Sequence, residues 1–472
     1  MPPPWLGETN ECAMDISMKA PADAHDVYAR IKWRILPFLI VCYVVAFIDR
    51  TNIGIAKLGF THDLSFDEGV YGFGAGIFYL GYILLEIPSN LYLSRLGIRK
   101  TLMRIMLLWG ACCSALALMA TASEYYLLRF LLGAAEAGLF PGILLYVTFW
   151  IPAARRARIT ALFMAAIPIA GILGGPLAGA IMHGFGGWHG IPGWRWLFLL
   201  EGLPAIFLGI AAYFYLDDGP AQSRWLSAAE KSLVLADLRQ EDAVKAAADG
   251  VRTSFSEVLR DPRFYAIASL GLAIMVSTAG VFLWLPTIIQ RTGVHDVVQI
   301  GLLSAIPFIA GFTAQFFVAR ASDRSLERRW HAAIPAILSA VGWGSLPFAA
   351  GNPALALLLL TLATAGSLAA MGPYWTLPTA YLSGASAAGG IALITTIAGF
   401  GNFISPILVG QISRRTGSLA AGQIYFAVLL LLGAALFLVG SRAAPTKRAA
   451  ADGSDPARPG TSPSSVSQPR HS

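Results

Sequence analysis

Long apolar stretches alternate with short basic ones along nearly the whole chain. Crossing a hydrocarbon layer takes about 20 apolar residues at a rise of about 1.5 Å each. By that measure about twelve candidate spans appear, at 33–57, 69–92, 101–121, 125–149, 158–182, 195–216, 264–290, 298–319, 332–350, 353–378, 387–412 and 420–441. One long polar insertion, 217–263, interrupts the series; Glu230, Lys231, Asp237, Arg239, Glu241, Asp242 and Lys245 give it the pattern of short surface helices. The expected organisation is therefore an N-terminal tail at 1–32, a six-helix bundle at 33–216, a central loop at 217–263, a second six-helix bundle at 264–441 and a tail at 442–472. That last tail is rich in Ala, Pro, Ser and Gly and is expected to be disordered, because it has too little apolar surface to fold alone.

Composition removes the soluble alternatives. Of 472 residues, 56% are hydrophobic and only 13% charged, with a mean hydropathy of +0.62. An all-α, multi-pass membrane protein is expected, with the lipid bilayer as its surroundings. The net charge of +7 does not point to nucleic acid, because the basic residues cluster between apolar runs. Arg95, Arg99, Lys100 and Arg104 follow the second span, Arg155, Arg156 and Arg158 the fourth, and Arg320, Arg324, Arg328 and Arg329 the eighth. The positive-inside rule then puts the ends of even-numbered spans, both termini and the central loop in the cytoplasm, against the exceptions Arg291, Arg414 and Arg415. The first thirty residues lack the short basic start and apolar core of a cleaved signal, so the first span is the expected targeting element. Cys12, Cys42, Cys112 and Cys113 have no metal-ligand spacing, and neither a metal nor a cofactor is expected. His183, His189 and His331 stand apart from acids and cysteines and read as loop histidines.

Ionisable groups inside the apolar runs carry the functional signal. Each costs roughly 2.5–3.5 kcal/mol on insertion scales, so such groups face a polar pathway or one another. Arg129 and Glu136 stand two helical turns apart and share a face, surrounded by Gly133, Ala134, Ala137 and Gly138. They can look into one cavity or hold spans together as an ion pair. Asp49 and Arg50 are adjacent, so their side chains diverge by about 100°; one can face a cavity while the other reaches a neighbouring helix. Glu86 and Glu201, beside Pro and Gly, read as bend positions. From Ala332 to Ser413 there is no Asp, Glu, Lys or Arg, which confines proton-linked charge to the first half. What the second half offers is neutral: Trp284, Gln315, Tyr374, Trp375 and Asn402, with Tyr43 and Tyr79 as counterparts in the first half. Each of these can equally be a packing residue. Asn402 is the best candidate, since a lone amide in hydrocarbon needs a partner.

The halves echo each other. Leu93-Ser94-Arg95-Leu96-Gly97-Ile98-Arg99-Lys100 lies between spans two and three, and Ala321-Ser322-Asp323-Arg324-Ser325-Leu326-Glu327-Arg328-Arg329 between eight and nine. Such equivalence implies an internal repeat. These loops resemble the Gly-x-x-x-Asp-Arg-x-Gly-Arg-Arg motif of the major facilitator superfamily; the second keeps Asp323-Arg324, and the first has Ser94 where the acid is usual. Tyr43, Asp49-Arg50-Thr51-Asn52, Gly81-Tyr82, Glu86-Ile87-Pro88-Ser89-Asn90, Leu128-Arg129-Phe130-Leu131-Leu132-Gly133, Ala135-Glu136-Ala137-Gly138 and Phe140-Pro141-Gly142 resemble the anion:cation symporter family. Within it the chain is similar to bacterial tartrate, phthalate and hydroxyphenylacetate permeases from about Trp33 to Arg442.

The resemblance implies two six-helix bundles that rock about a central site in a bacterial inner membrane. It implies that Asp49 and Glu136 exchange protons, that Arg50 and Arg129 hold a substrate carboxylate, and that Arg95, Gly97, Arg99, Lys100, Asp323 and Arg324 form the conformational loops. The expectation is a monomeric symporter importing a small organic anion with protons as coupling ion. Three other readings stand beside it: an exporter of the same superfamily, an anion sensor without flux, and a membrane enzyme. The last would need a nucleophile or metal constellation that the spans do not contain.

Overall fold

The computed structural model describes residues 24–248, 259–381 and 385–441; the expectations for 1–23, for 442–472 and for Cys12 fall outside them. Helices dominate the described residues. In the first half they are α1 (Ala24–Asp63), α2 (Glu68–Leu96), α3 (Ile98–Leu116), α4 (Ala122–Glu136), α5 (Leu139–Trp150), α6 (Ala153–Met164), α7 (Ala166–Gly184) and α8 (Gly193–Tyr215). The polar insertion forms α9 (Ala228–Ala248). The second half holds α10 (Pro262–Arg291), α11 (Val297–Ser325), α12 (Arg329–Ser345), α13 (Pro353–Tyr381), α14 (Ala385–Thr416) and α15 (Ala420–Gly440).

Among the described residues, eleven helical stretches are long and apolar enough to cross a membrane. The twelfth span is α3, nineteen residues long, whose first turns carry Arg99, Lys100 and Arg104. The fourth and fifth spans are each built of two helices. In the fourth, α4 closes when the Ala137 N–H bonds the Gly133 carbonyl, and Gly138 starts α5 at φ 88°. Only glycine suits this joint, because a Cβ on Gly138 would also lie 2.5 Å from the Ser89 hydroxyl oxygen. The break falls directly after Glu136.

The same helix pairings recur in both halves. α3 packs on α8, and α2 on α4; the second half repeats this with α12 on α15 and α11 on α13. Side chains repeat it too. Arg99 Nε donates to the Tyr213 carbonyl at 2.8 Å, and Arg329 to the Leu438 carbonyl, so each half ties the start of its third span to the end of its sixth. Trp109 Nε1 donates to Asp49 at 2.7 Å, and Trp343 Nε1 to the Ser277 hydroxyl at 2.8 Å.

Between the halves, α2 packs on α14 and α7 on α11, with α1 against α10. Small residues allow this approach: a Cβ on Gly72 would lie 2.3 Å from the Pro406 carbonyl oxygen, and one on Gly175 2.7 Å from that of Gly301. These contacts lie from mid-helix toward the end opposite the basic loops. Arg291 and Arg414, exceptions to the charge rule, sit there, paired with Glu68 at 2.8 Å and Asp67 at 3.8 Å. The other end bears α9, held to the first half by Tyr28 Oη donating to Asp237 at 2.8 Å and by Arg156 with Glu241 at 3.4 Å.

A very close crossing joins α2 and α4, where a Cβ on Gly133 would lie 1.9 Å from the Phe78 carbonyl oxygen. Gly133→Ala is expected to lower stability by about 1–3 kcal/mol through forced separation of these helices. Gly184→Ala, with nothing within 4 Å, should not. Thermal unfolding in detergent compares the two.

Candidate functional site

The first half gathers its charges where α1, α2, α3 and α4 meet. Arg50 projects from the middle of α1 and gives Glu136 Oε1 two contacts, from Nε at 2.8 Å and Nη2 at 2.6 Å. Its guanidinium lies 4.9 Å from the Phe47 ring centre, 5.5 Å from that of Phe78 and 5.2 Å from that of Tyr82. Aromatic faces thus substitute for water around the cation. The pair is unequal in access: the Arg50 side chain is 20% exposed, that of Glu136 only 1%. Glu136 Oε2 is buried without a hydrogen-bond partner.

Asp49 points elsewhere, as the divergence of adjacent helical side chains requires. It accepts from Trp109 Nε1 and from Cys113 Sγ, each at 2.7 Å, both on α3. Arg129 is buried on α4, donates from Nε to the Gly74 carbonyl at 3.3 Å and lies 4.6 Å from the Phe78 ring centre. Arg129 and Glu136 share a face of α4, yet the carboxylate pairs with Arg50 of α1, because the end of α4 faces that helix. Tyr43 stacks on Phe163 at 4.4 Å and Phe140 at 5.6 Å. Tyr79 is half-buried on α2, within electrostatic reach of both arginines.

The second-half candidates do not converge as a set. Trp284 is buried at the joint between the halves, its ring 5.2 Å from that of Tyr71 in T-shaped contact. Tyr374 turns its hydroxyl toward Gly271 of α10, inside its own half, where a Cβ would come within 1.9 Å of it. Trp375 packs 5.2 Å from the Tyr374 ring, and Gln315 is half-buried. Asn402 is half-buried with Oδ1 unpartnered, one residue before Phe403, whose carbonyl approaches Gly76 of α2.

In the first loop the Ser94 side chain lies outside the described residues, and an acid comes instead from beyond α8: Asp218 accepts from the Arg99 N–H at 3.1 Å and lies against Gly97, itself at φ 81°. Arg95 is exposed and Lys100 largely exposed. In the second loop Asp323 pairs with Arg328 at 2.6 Å while Arg324 is exposed.

Several contributors were given no site role in the sequence. Trp109, Cys113, Phe78 and Tyr82 look like ordinary apolar-span residues and acquire meaning only through tertiary contact. Lys57 is different, since it is an ionisable group at the end of a predicted span and two turns beyond Arg50; the criterion that found Asp49 applies to it equally. Glu201, read as a bend residue, is buried within α8, where Oε1 accepts from the Asn52 amide and Oε2 has no partner.

Comparisons with known proteins agree with this architecture. The profile of the Major Facilitator Superfamily matches residues 39–406. The chain belongs to that superfamily. It is 43% identical over 426 residues to an Agrobacterium vitis protein named for tartrate transport, covering 89% of this chain and 95% of that one. It is 37% identical to the quinolone resistance transporter of Acinetobacter baumannii, covering 86% and 93%. A solved D-xylose–proton symporter shares the fold at TM-score 0.69 and 17% identity, over 88% of this chain and 98% of that one.

In this major facilitator protein, a transporter embedded in the membrane, the Arg50–Glu136 pair is also a structural bond between α1 and α4. Glu136→Leu leaves a largely enclosed guanidinium without its carboxylate and is expected to cost up to about 3–5 kcal/mol, whereas the double change Arg50→Leu with Glu136→Leu should recover most of that loss. Unfolding midpoints of the single and double variants in detergent measure the coupling.

Proposed function

We propose that this transporter carries an organic carboxylate together with protons, in the importing direction, through a bacterial inner membrane with both termini cytoplasmic. The observation that carries the reading is the Arg50–Glu136 pair: an accessible guanidinium whose internal partner is a buried carboxylate, with a second arginine, Arg129, on the same helix as that carboxylate. A guanidinium presents a planar fork that matches a carboxylate. A cargo carboxylate arriving at Arg50 competes with Glu136. Once displaced, Glu136 has lost its counter-cation in a site from which water is nearly excluded, and it takes up a proton in place of the lost charge. Asp49, held by neutral donors from Trp109 and Cys113, supplies a second exchangeable position within reach of Arg129.

Arg129 holds the other end of the anion, and a tartrate-like diacid, which has two carboxylates, fits two arginines. The relative named for tartrate transport supports that class. Aromatic acids such as phthalate are the second class, with Tyr43, Tyr79 and the neutral residues of the second half, Trp284, Gln315, Tyr374, Trp375 and Asn402, shaping the pocket. The protein acts as a monomer and uses protons in place of any cofactor. The quinolone resistance relative supports a second direction, export by the same machinery.

Uptake of labelled tartrate and phthalate into reconstituted vesicles under an imposed proton gradient is the test. The wild type is expected to accumulate one of them. Glu136→Gln is expected to lose gradient-driven accumulation while keeping anion exchange, and Asp49→Asn to lower accumulation. Unaltered accumulation in both variants excludes the coupling roles, and gradient-driven efflux in oriented vesicles selects export.

A further inference from the structure

Lys57 repeats, two turns along the same face of α1, the arrangement found at Arg50. Its ammonium lies 2.6 Å from Glu68 Oε2 and 3.1 Å from the Thr287 hydroxyl, above the rings of Tyr71 at 4.4 Å and Trp284 at 4.3 Å. The side chain is 3% exposed. Glu68 Oε1 meanwhile takes Arg291 Nη2 of α10 at 2.8 Å. One carboxylate thus serves two cations, one from each half, and the cluster holds an excess positive charge. The neighbouring Arg414–Asp67 pair is balanced and does not cancel it. Beside the ammonium, Trp284 Nε1 is a buried donor without an acceptor. Cation–carboxylate pairs therefore occur twice on one face of α1, Arg50 with Glu136 and Lys57 with Glu68, about 10 Å apart along the axis.

We propose that Lys57 is a second carboxylate-binding position on the transport pathway, at the end opposite the basic loops, and that Glu68 occupies the place of a cargo carboxylate while the halves are closed there. The proposal rests on the reading of the cargo as a carboxylate. When the halves part at this end, Thr287, Trp284 and Arg291 leave with α10, and Lys57 keeps Glu68 as its charged partner. Glu68 can be released without stranding a bare charge, because it stands in the first turn of α2, where the helix dipole and solvent access favour a carboxylate. A cargo anion takes its place at Lys57, then moves two turns inward to Arg50, where it displaces Glu136. Arg50 and Lys57 each have an internal acid beside them whenever the cargo is absent, so neither is left without a carboxylate.

A latch that only holds the halves together makes a different forecast. Removing either member would loosen it, and both changes would shift transport in the same sense. A cargo position predicts opposite senses, since Lys57 attracts the anion and Glu68 competes with it. The experiment measures KM for tartrate, and for phthalate, entering vesicles from the side that bears the C-terminal end of α1. Lys57→Met is expected to raise KM about ten-fold, the loss of one charge-assisted contact; Lys57→Arg should stay near wild type, and Glu68→Gln should lower KM. Shifts of the same sign, or none, overturn the proposal. Should Lys57→Met fail to reach the membrane, Glu68→Gln decides alone: a lower KM supports the cargo position, and a higher or unchanged one refutes it. A wild type that moves neither acid removes the carboxylate reading and this proposal with it, whereas wild-type transport with shifts of like sign removes the Lys57 assignment alone.

Discussion

A charge buried among apolar helices has to find its opposite, and α1 carries the charges that enforce this. Arg50 requires Glu136, which brings α4 to α1; Lys57 requires Glu68, which brings the start of α2. Asp49 takes neutral donors from α3. Three helices are therefore tied to α1 by polar bonds formed along less than three turns, while its broadest packing is against α7, α8 and α10. In lipid, where apolar side chains gain little by choosing each other over acyl chains, such bonds and close backbone packing decide helix arrangement.

The second half shows what the same frame looks like without charge. Its counterpart of the Trp109–Asp49 contact is Trp343 donating to Ser277, extended by hydroxyl bonds from Ser277 to Ser367 at 2.7 Å and from Ser339 to Ser367 at 2.8 Å. Neutral hydroxyls satisfy one another at little desolvation cost. An internal repeat has thus kept a geometric solution, an indole N–H bonding the first helix of its half, while ionisable chemistry stands at that contact in one copy alone.

Close glycine contacts and ion pairs act together at the joint. Gly72 and Gly175 let backbones meet, and the charged residues at the same end, Lys57, Glu68, Arg291 and Arg414, draw their partners from both halves. Arg50, paired with Glu136, and Lys57, which contacts Thr287 of the second half, stand two turns apart on one face of α1.

The all-helical, many-span character of the chain was legible in the sequence, because apolar length and basic punctuation are local properties; the two loops looked alike there, but Asp218 serves the first and Asp323 with Arg328 the second. Also legible was the presence of Asp49, Arg50, Arg129 and Glu136 as charges among apolar helices, since a charge in an apolar run is conspicuous wherever it points. Their partnerships were not. The spacing joins Arg129 to Glu136, but α4 ends just after Glu136 and the tertiary fold brings that carboxylate within reach of Arg50. The aromatic candidates of the second half looked alike, and only packing separates Trp284 at the joint from Tyr374 turned into its own bundle. Sequence determines which groups need partners, because the cost of burying a charge belongs to the residue; tertiary structure decides who the partners are, because that depends on which helix faces meet.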